Sequence, residues 1–201
     1  MEIDTTAISY LALGDSYTIG QAVDQNMRWP IQLAKKLKEN NIIIEPVNII
    51  AQTGWTTSNL IQSIYDMEPD QHDLVSLLIG VNNQYQGQPF DVFQTEFDSL
   101  LNISIQLAGN IKRVFVVSIP DYGVTPFGAN NAEQIAQELD MYNEYMQQAC
   151  IALEIPFVNI TNLSRQLGDS PGALAVDNLH PSGSQYTQWV NLILPVVIDM
   201  L

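Results

Sequence analysis

Residues 9–18 have the sequence Ser-Tyr-Leu-Ala-Leu-Gly-Asp-Ser-Tyr-Thr, in which a short apolar run passes directly into a turn that begins with glycine. The run lacks a strict alternation of polar and apolar side chains, so it predicts a strand that is covered on both faces. Similar runs, rich in Val, Ile and Leu, follow along the chain. We therefore predict buried strands at Ser9–Leu13, Val47–Ala51, Leu74–Ile79, Val114–Ile119 and Phe157–Ile160.

The stretches between these runs are longer and amphipathic. In the clearest of them Phe90, Phe93, Phe97 and Leu101 recur every three or four residues, and Gly109 follows as a helix-ending residue. The predicted helices are Pro30–Asn40, Thr57–Met67, Phe90–Ala108, Ile135–Leu153 and Ser184–Met200, the last interrupted by Pro195. Strand and helix in regular alternation predict an α/β fold, a parallel sheet with helices on both faces.

The composition supports one globular domain over residues 1–201. Hydrophobic residues make up 46% of the chain and charged residues only 14%, which excludes a disordered chain. Seven Lys and Arg against 22 Asp and Glu give a net charge of −15. A nucleic acid or an anionic membrane surface would be repelled, so neither is an expected partner.

The single cysteine, Cys150, excludes a disulfide within the chain and a cysteine zinc cluster. No apolar run reaches the roughly 18 residues of a membrane helix, so we expect no integral membrane segment. The N-terminus Met1–Asp4 carries acid where a signal peptide carries base. We expect a cytoplasmic protein, or a periplasmic or secreted one if a signal peptide has been removed. No sequence feature indicates a particular oligomeric state.

Ligands of parallel α/β sheets bind beyond the carboxyl ends of the strands, so the residues that follow each strand are the candidates for function. The segments at the strand ends, with the segment before the last helix, are 14–18 (Gly-Asp-Ser-Tyr-Thr), 51–55 (Ala-Gln-Thr-Gly-Trp), 80–83 (Gly-Val-Asn-Asn), 120–123 (Pro-Asp-Tyr-Gly) and 177–181 (Asp-Asn-Leu-His-Pro). The topology predicts that these segments meet at one edge of the sheet.

Three of these residues form the set that nucleophilic catalysis requires. A serine hydroxyl such as that of Ser16 needs a base to remove its proton, and histidine is the usual base. An imidazole works best when a carboxylate holds its other nitrogen. Asp177 and His180 are three residues apart, a spacing at which the carboxylate can reach the ring.

An acyl-transfer site also needs donors for the oxyanion. The backbone N–H of Ser16 is available at a strand-to-helix turn, and Gly54 can offer an N–H without obstruction by a side chain. The side-chain amide of Asn82 can supply a third donor.

The blocks Gly14-Asp15-Ser16-Tyr17, Gly54, Gly80-Val81-Asn82 and Asp177-x-x-His180-Pro181 resemble, in order, those of the SGNH (GDSL-type) hydrolases, a lipase and acylhydrolase family. The resemblance implies a flavodoxin-like fold of three layers, α/β/α, and ester hydrolysis through an acyl-serine. It implies Ser16 as nucleophile, His180 as base and Asp177 as its orienting acid. It also implies Ser16, Gly54 and Asn82 as the oxyanion hole.

Two positions depart from the family pattern. Tyr17 stands where Leu is usual, and Asn83 stands where the third block usually has Asp, whose side chain is thought to order the loop. Asn83 can make part of those hydrogen bonds without the charge. Residues predicted to border the substrate are Tyr17, Trp55, Asn83, Tyr85 and Tyr122, and the Gly- and Pro-rich loop 121–130 is predicted to cover the pocket.

Other candidate residues are interpreted as structural. Gly168-Asp169-Ser170-Pro171-Gly172 matches a G-x-S-x-G nucleophile turn, but Pro171 lacks the N–H that such a turn uses as a donor. His72 precedes the third strand, so we predict a surface loop residue at the opposite edge of the sheet. Two histidines at opposite edges predict no metal site, and no Gly-rich phosphate loop follows the first strand. We expect neither metal nor cofactor.

The leading hypothesis is therefore a serine esterase that acts on small or medium acyl esters, with a small-molecule ester as the partner. A carbohydrate O-deacetylase and a lysophospholipase would use the same three catalytic residues and stay open as alternatives. A hypothesis of another class is a non-catalytic module that binds a carbohydrate or an acyl group.

Overall fold

The predicted strands all occur in the computed structural model, which describes residues 7–201; the acidic N-terminus Met1–Asp4 lies outside the described residues. The strands are β1 (Ile8–Gly14), β2 (Ile44–Ala51), β3 (Leu74–Leu78), β4 (Val114–Val117) and β5 (Phe157–Val158). They form one parallel sheet in the order β2-β1-β3-β4-β5. This is the flavodoxin-like strand order, so the predicted fold class is confirmed.

The predicted helices are present, and shorter helices follow three of the strands. Within residues 7–201 the α-helices are α1 (Ser16–Ile19), α2 (Trp29–Glu39), α3 (Thr57–Met67), α4 (Val81–Tyr85), α5 (Phe90–Ala108), α6 (Ala132–Ala152), α7 (Thr161–Leu167) and α8 (Gly183–Met200). Helix α2 packs against α8, whereas α5 packs against both α3 and α6. The right-handed crossovers of a parallel sheet place these two groups on opposite faces and give three layers.

Most predicted boundaries differ from the structure by one to three residues, and two of the differences have a clear physical content. Strand β4 ends at Val117 and not at Ile119, because side chains replace the ladder there: Ser118 Oγ accepts from the Ile160 N–H at 2.8 Å, and Asn143 Oδ1 accepts from the Ile119 N–H at 2.8 Å. The last helix is not interrupted, since α8 continues through Pro195 to Met200.

The core lies between the sheet and its two helical layers. Its largest fully buried side chains include Trp29 and Trp189 on one face, and Phe93 and Phe97 on the other. Cys150 is also buried in this core. Among residues 7–201, no helix combines the length and the apolarity needed to cross a bilayer.

Gly14, the last residue of β1, sets how closely the sheet and the first turn approach each other. It lies opposite Ala51 of β2 and opposite Leu78 of β3. A Cβ atom at this position would lie 2.2 Å from Thr18 Oγ1 and 2.4 Å from the backbone oxygen of Leu78. Any larger residue would therefore separate β1 from β3 or displace the turn.

Replacing Gly14 by alanine is expected to lower the free energy of unfolding by about 1–3 kcal/mol, the usual cost of overpacking, or to prevent folding. Urea denaturation of the variant measures the loss. The control is Gly14→Ala combined with Thr18→Ala, which removes the contact with the threonine hydroxyl but keeps the Cβ of residue 18, 2.7 Å from the added methyl group. Because the backbone oxygen of Leu78 stays in place, the double variant should recover only part of the loss. A Gly14→Ala protein with the wild-type midpoint would contradict this account of the turn.

Candidate active site

The predicted catalytic residues lie around one cavity at the carboxyl ends of β1, β2 and β3. The cavity has a volume of about 230 Å³ and includes Ser16, Gly54, Asn82 and His180 in its wall. In the sheet, β2 lies on one side of β1 and β3 lies on the other, so the order in which strands are added reverses at β1. Ligands of open parallel sheets usually bind at such a reversal. The remaining wall residues are Tyr17, Thr53, Val81, Tyr85, Tyr122, Phe127 and Leu179.

Asp177 and His180 are joined as their spacing predicts. Asp177 Oδ2 lies 2.7 Å from His180 Nδ1, and Asp177 Oδ1 accepts from the backbone N–H groups of Leu179 at 3.1 Å and His180 at 3.0 Å. The turn is closed by a backbone hydrogen bond from Ala175 to the carbonyl of His180 at 2.8 Å. The side chain and the backbone of His180 are therefore both held by the same carboxylate.

This arrangement keeps Asp177 ionised. Partial burial opposes the charge, but the hydrogen bonds from the His180 ring and from the N–H groups of His180 and Leu179 outweigh it and lower the pKa of Asp177 below its ordinary value. An ionised Asp177 accepts a hydrogen bond from protonated Nδ1. The ring then presents Nε2 as its basic nitrogen.

Ser16 begins α1, immediately after the end of β1. Its turn is capped by Asp15, whose Oδ1 accepts from the N–H of Tyr17 at 3.0 Å. Asp15 thus has the structural role that its position suggests. Ser16 and His180 border the same cavity, and within residues 7–201 no hydrogen bond joins the Ser16 hydroxyl to the imidazole. Catalytic hydrogen bonds of this kind often tighten only when substrate binds.

The candidate oxyanion donors come from the three neighbouring strand ends. Gly54 has φ +85°, and the position that a Cβ would take there is open space. Asn82 Nδ2 donates one hydrogen bond to the carbonyl of Trp55 at 2.9 Å, which orients the amide and leaves its second N–H free for a ligand. The loop after β2 is also joined to the residue that follows α4, by a hydrogen bond from Gln86 Nε2 to the carbonyl of Gly54 at 3.3 Å.

Three aromatic rings form the outer wall of the cavity. Tyr85, Tyr122 and Phe127 lie with ring centroids 5.7–6.2 Å apart. Tyr85 and Tyr122 are residues predicted to border the substrate. Phe127 was not singled out by sequence reasoning, although it belongs to the loop 121–130 that was predicted to cover the pocket. Its aromatic character is the signal that could have identified it, because Tyr122 and Phe127 are the two aromatic residues of that loop.

The other predicted pocket residues have different positions. Tyr17 borders the cavity, and the centroid of its ring lies 5.7 Å from that of His180 and 6.2 Å from that of Trp189. Trp55 is not part of the cavity wall and contributes its carbonyl to Asn82 instead. Asn83 does not border the cavity either, because its side chain is fully buried.

Asn83 connects α4 to the start of α3. Its Oδ1 accepts from the N–H of Thr57 at 3.0 Å, and its Nδ2 donates to Thr57 Oγ1 at 2.6 Å and to Gln88 Oε1 at 2.9 Å. An aspartate could accept the first of these bonds but could not donate the other two. The uncharged amide therefore helps to order this loop without a carboxylate at this position.

The remaining candidates lie away from the cavity. Ser170 is exposed, and its hydroxyl donates to the carbonyl of Leu167 in a turn. His72 lies at the opposite edge of the sheet as predicted, but the expectation of a surface residue is wrong. Its ring is buried and lies 2.8 Å from Asn48 Nδ2 and 2.8 Å from the carbonyl of Asp70. Within residues 7–201, no three His, Cys, Asp or Glu side chains are grouped as metal ligands.

Asp15, the residue before Ser16, differs from the other acidic side chains of the site because it is fully buried. No partner is present for Asp15 Oδ2 among residues 7–201, and the neighbouring hydroxyl of Tyr186 is also without one. Burial raises the pKa of the Asp15 carboxyl to about 7, and the N–H groups of Tyr17 and Asp15 offset this only in part.

Comparison with protein-family models finds a match that covers most of the chain. The model of the GDSL-like Lipase/Acylhydrolase family matches residues 12–187, which contain every candidate catalytic residue. No curated protein matches the chain in sequence.

Several solved structures have the same fold. A lipase from a goat rumen metagenome, Lip_vut3, has a TM-score of 0.75 at 18% identity and is matched over 94% of this chain and 97% of that one. The acetyl xylan esterase AlAXEase has a TM-score of 0.73 at 16% identity, over 94% and 100%. The psychrotrophic esterase EstA from Pseudoalteromonas sp. has a TM-score of 0.64 at 18% identity, over 95% and 97%. At such identities the similarity shows the fold.

The raised pKa of Asp15 predicts a pH-dependent loss of stability. In the unfolded chain an aspartate titrates near pH 4, whereas the folded protein retains the Asp15 proton up to about pH 7. The folded state therefore binds the additional proton between these values, and the free energy of unfolding falls as the pH rises through this window. Asp15→Asn cannot titrate and keeps an acceptor for the N–H of Tyr17.

Urea denaturation of both proteins at pH 4.5 and pH 7.5 measures the effect. Relative to Asp15→Asn, the wild type should lose on the order of a few kcal/mol between the two pH values. Because every other carboxylate is common to both proteins, the difference isolates Asp15. Stability curves that stay parallel across this range would show that Asp15 titrates normally.

Proposed function

Because the chain belongs to the GDSL-like lipase/acylhydrolase family, we propose that it is a serine esterase that hydrolyses small or medium acyl esters through an acyl-serine intermediate. The observation that carries the proposal is the Asp177–His180 pair, whose carboxylate and imidazole are 2.7 Å apart at a cavity that Ser16 also borders. A pair of this kind is the usual means of activating a serine hydroxyl.

In the proposed reaction Ser16 Oγ attacks the ester carbonyl while His180 Nε2 takes the hydroxyl proton. The tetrahedral intermediate collapses to the acyl-serine when His180 gives that proton to the departing alcohol. A water molecule, deprotonated by His180, then attacks the acyl-serine, and the acid is released as Ser16 regains its proton. Asp177 keeps its charge throughout and stabilises the imidazolium that forms twice in the cycle.

The oxyanion of both tetrahedral intermediates would be bound by the N–H groups of Ser16 and Gly54 and by the amide of Asn82. Fixed donors of this kind stabilise developing charge because they need no reorganisation during the reaction. The open space at Gly54 and the hydrogen bond that orients Asn82 support this assignment. The small volume of the cavity, about 230 Å³, favours short acyl groups.

Two enzymatic alternatives, a carbohydrate O-deacetylase and a lysophospholipase, use the same chemistry and differ in the alcohol that leaves. A non-catalytic binding module is the alternative of another class. A fluorophosphonate probe separates it from an enzyme, since the probe labels only an activated serine.

Ser16→Ala is expected to lower kcat for a chromogenic short-chain ester by a factor of about 10⁴ or more, because no other group can form the acyl-enzyme. The chain offers a matched control in Ser170, which also follows Gly-Asp. Ser170→Ala should retain full turnover and full fluorophosphonate labelling. Undiminished turnover by Ser16→Ala, or loss of turnover in Ser170→Ala alone, would refute the assignment of the nucleophile.

Asn82→Ala is expected to lower kcat by a factor of about 10²–10³ while KM stays nearly constant. The reason is that its amide would bind the oxyanion of the transition state more strongly than the carbonyl of the substrate. Steady-state kinetics with the same ester give both constants. An increase of KM at unchanged kcat would instead mean that Asn82 binds the ground state and the transition state equally.

A further inference from the structure

A second cavity adjoins the first on the far side of the aromatic wall. Its volume is about 430 Å³, and Tyr85, Tyr122 and Phe127 border both cavities. Tyr85 and Phe127 are more than half exposed, at 57% and 53%. A ligand whose reacting ester lies at Ser16 can therefore extend across these rings into the second cavity.

The two cavities differ in chemistry. The first cavity presents mostly apolar side chains around Ser16 and His180. The far wall of the second cavity consists of polar side chains that are joined in a chain of hydrogen bonds. The hydroxyl of Tyr122 donates to Gln84 Oε1 at 2.9 Å, and Gln84 Nε2 donates to Glu138 Oε2 at 2.6 Å. Gln134 Nε2 donates to Glu138 Oε1 at 2.8 Å and completes the chain.

This chain orients groups that can still bind a ligand. Each of the two glutamine amides has a second N–H, the side-chain oxygen Oε1 of Gln134 accepts no hydrogen bond within residues 7–201, and the Glu138 oxygens keep lone pairs. Donors and acceptors therefore alternate over a short distance next to exposed ring faces. Hydroxyl groups, each both donor and acceptor, are the ligand groups that such a surface satisfies best.

Charge narrows the class of ligand further. No Lys or Arg is among the residues that border either cavity, and Glu138 contributes a negative charge. A phosphate or carboxylate in the alcohol would face that charge without a compensating cation, which disfavours a lysophospholipid. The Glu138 oxygens already accept from two amides, so the carboxylate is stabilised by neutral donors and does not require a cationic ligand.

We propose that the second cavity binds the alcohol portion of the ester and that this alcohol is an uncharged, polyhydroxylated molecule of the sugar class. Gln134 and Glu138 would donate to and accept from its hydroxyls, and the rings of Tyr85 and Phe127 would pack against its carbon atoms. The acyl group would occupy the first cavity. This inference rests on the proposed esterase function and adds the residues that select the alcohol.

The test compares two acetate esters, an acetylated methyl glucoside and ethyl acetate, in the wild type and three variants. The readout is the ratio of kcat/KM for the glucoside ester to kcat/KM for ethyl acetate. Gln134→Ala and Glu138→Gln should each lower this ratio about three- to tenfold, mainly through KM for the glucoside ester, because each removes or weakens a hydrogen bond to the sugar. A ratio unchanged in both variants would overturn the proposal.

Gln137→Ala is the matched control. Gln137 is an exposed glutamine of the same helix α6, and its amide contacts Glu133 at 3.4 Å outside the cavity, in the same four-residue spacing as Gln134 and Glu138. The control should keep the wild-type ratio. A similar fall in Gln137→Ala would indicate a general effect on α6 and count against the subsite.

Two further measurements separate the possible failures. If acetylcholine is hydrolysed in preference to the glucoside ester and Glu138→Gln removes the preference, the cavity binds a cation and the proposal of a neutral alcohol is overturned. If the wild type hydrolyses neither these acetates nor the chromogenic ester, the esterase proposal fails, and NMR titration of Ser16→Ala with methyl glucoside tests the subsite alone. Shifts that saturate and are lost on adding Gln134→Ala support it, and their absence overturns it.

Discussion

The site depends on the register in which β2, β1 and β3 pair, because this register makes the three strands end side by side. Gly14 lies opposite Ala51 on one side and Leu78 on the other, so the chain leaves the three strands at the same height. Ser16, Gly54 and Asn82 each follow one of these ends within a few residues, although they are far apart in sequence. A shift of one residue in either pairing would move one group by about 3.3 Å along the strand and reverse the faces of its neighbours. The close packing at Gly14 opposes such a shift.

The chain has a net charge of −15, and carboxylates around the site are held in position by hydrogen bonds from N–H groups. Asp177 accepts from the imidazole and two backbone N–H groups. Asp121 accepts from the Gly123 N–H at 2.8 Å and from Arg165 Nε at 2.8 Å, and thereby anchors the loop that carries Tyr122. Asp15 is the exception. Its second oxygen has no partner within residues 7–201, and its pKa rises accordingly.

Sequence reasoning was most accurate where the deciding contacts are local. The predicted limits of α3 and α5 agree with the structure. A capping box formed by Thr56 begins α3, and Gly109 ends α5 in a left-handed conformation. The end of β4 was less predictable, since Ser118 and Asn143 replace the strand ladder through contacts with distant segments. The same holds for Asn83, whose partner Thr57 lies 26 positions away, and for His72, which a distant asparagine helps to bury.

The order of apolar runs was enough to predict the parallel sheet, and the three-residue spacing of Asp177 and His180 was enough to predict their contact. Both follow from periodicity and from short separations along the chain. The walls of the two cavities could not be inferred in this way. Tyr85, Tyr122, Phe127 and Glu138 come from three elements, and whether their side chains meet depends on how α4, α6 and the loop 121–130 pack together. Local sequence patterns set the backbone geometry near each residue, whereas a cavity is the space that remains after distant side chains have packed.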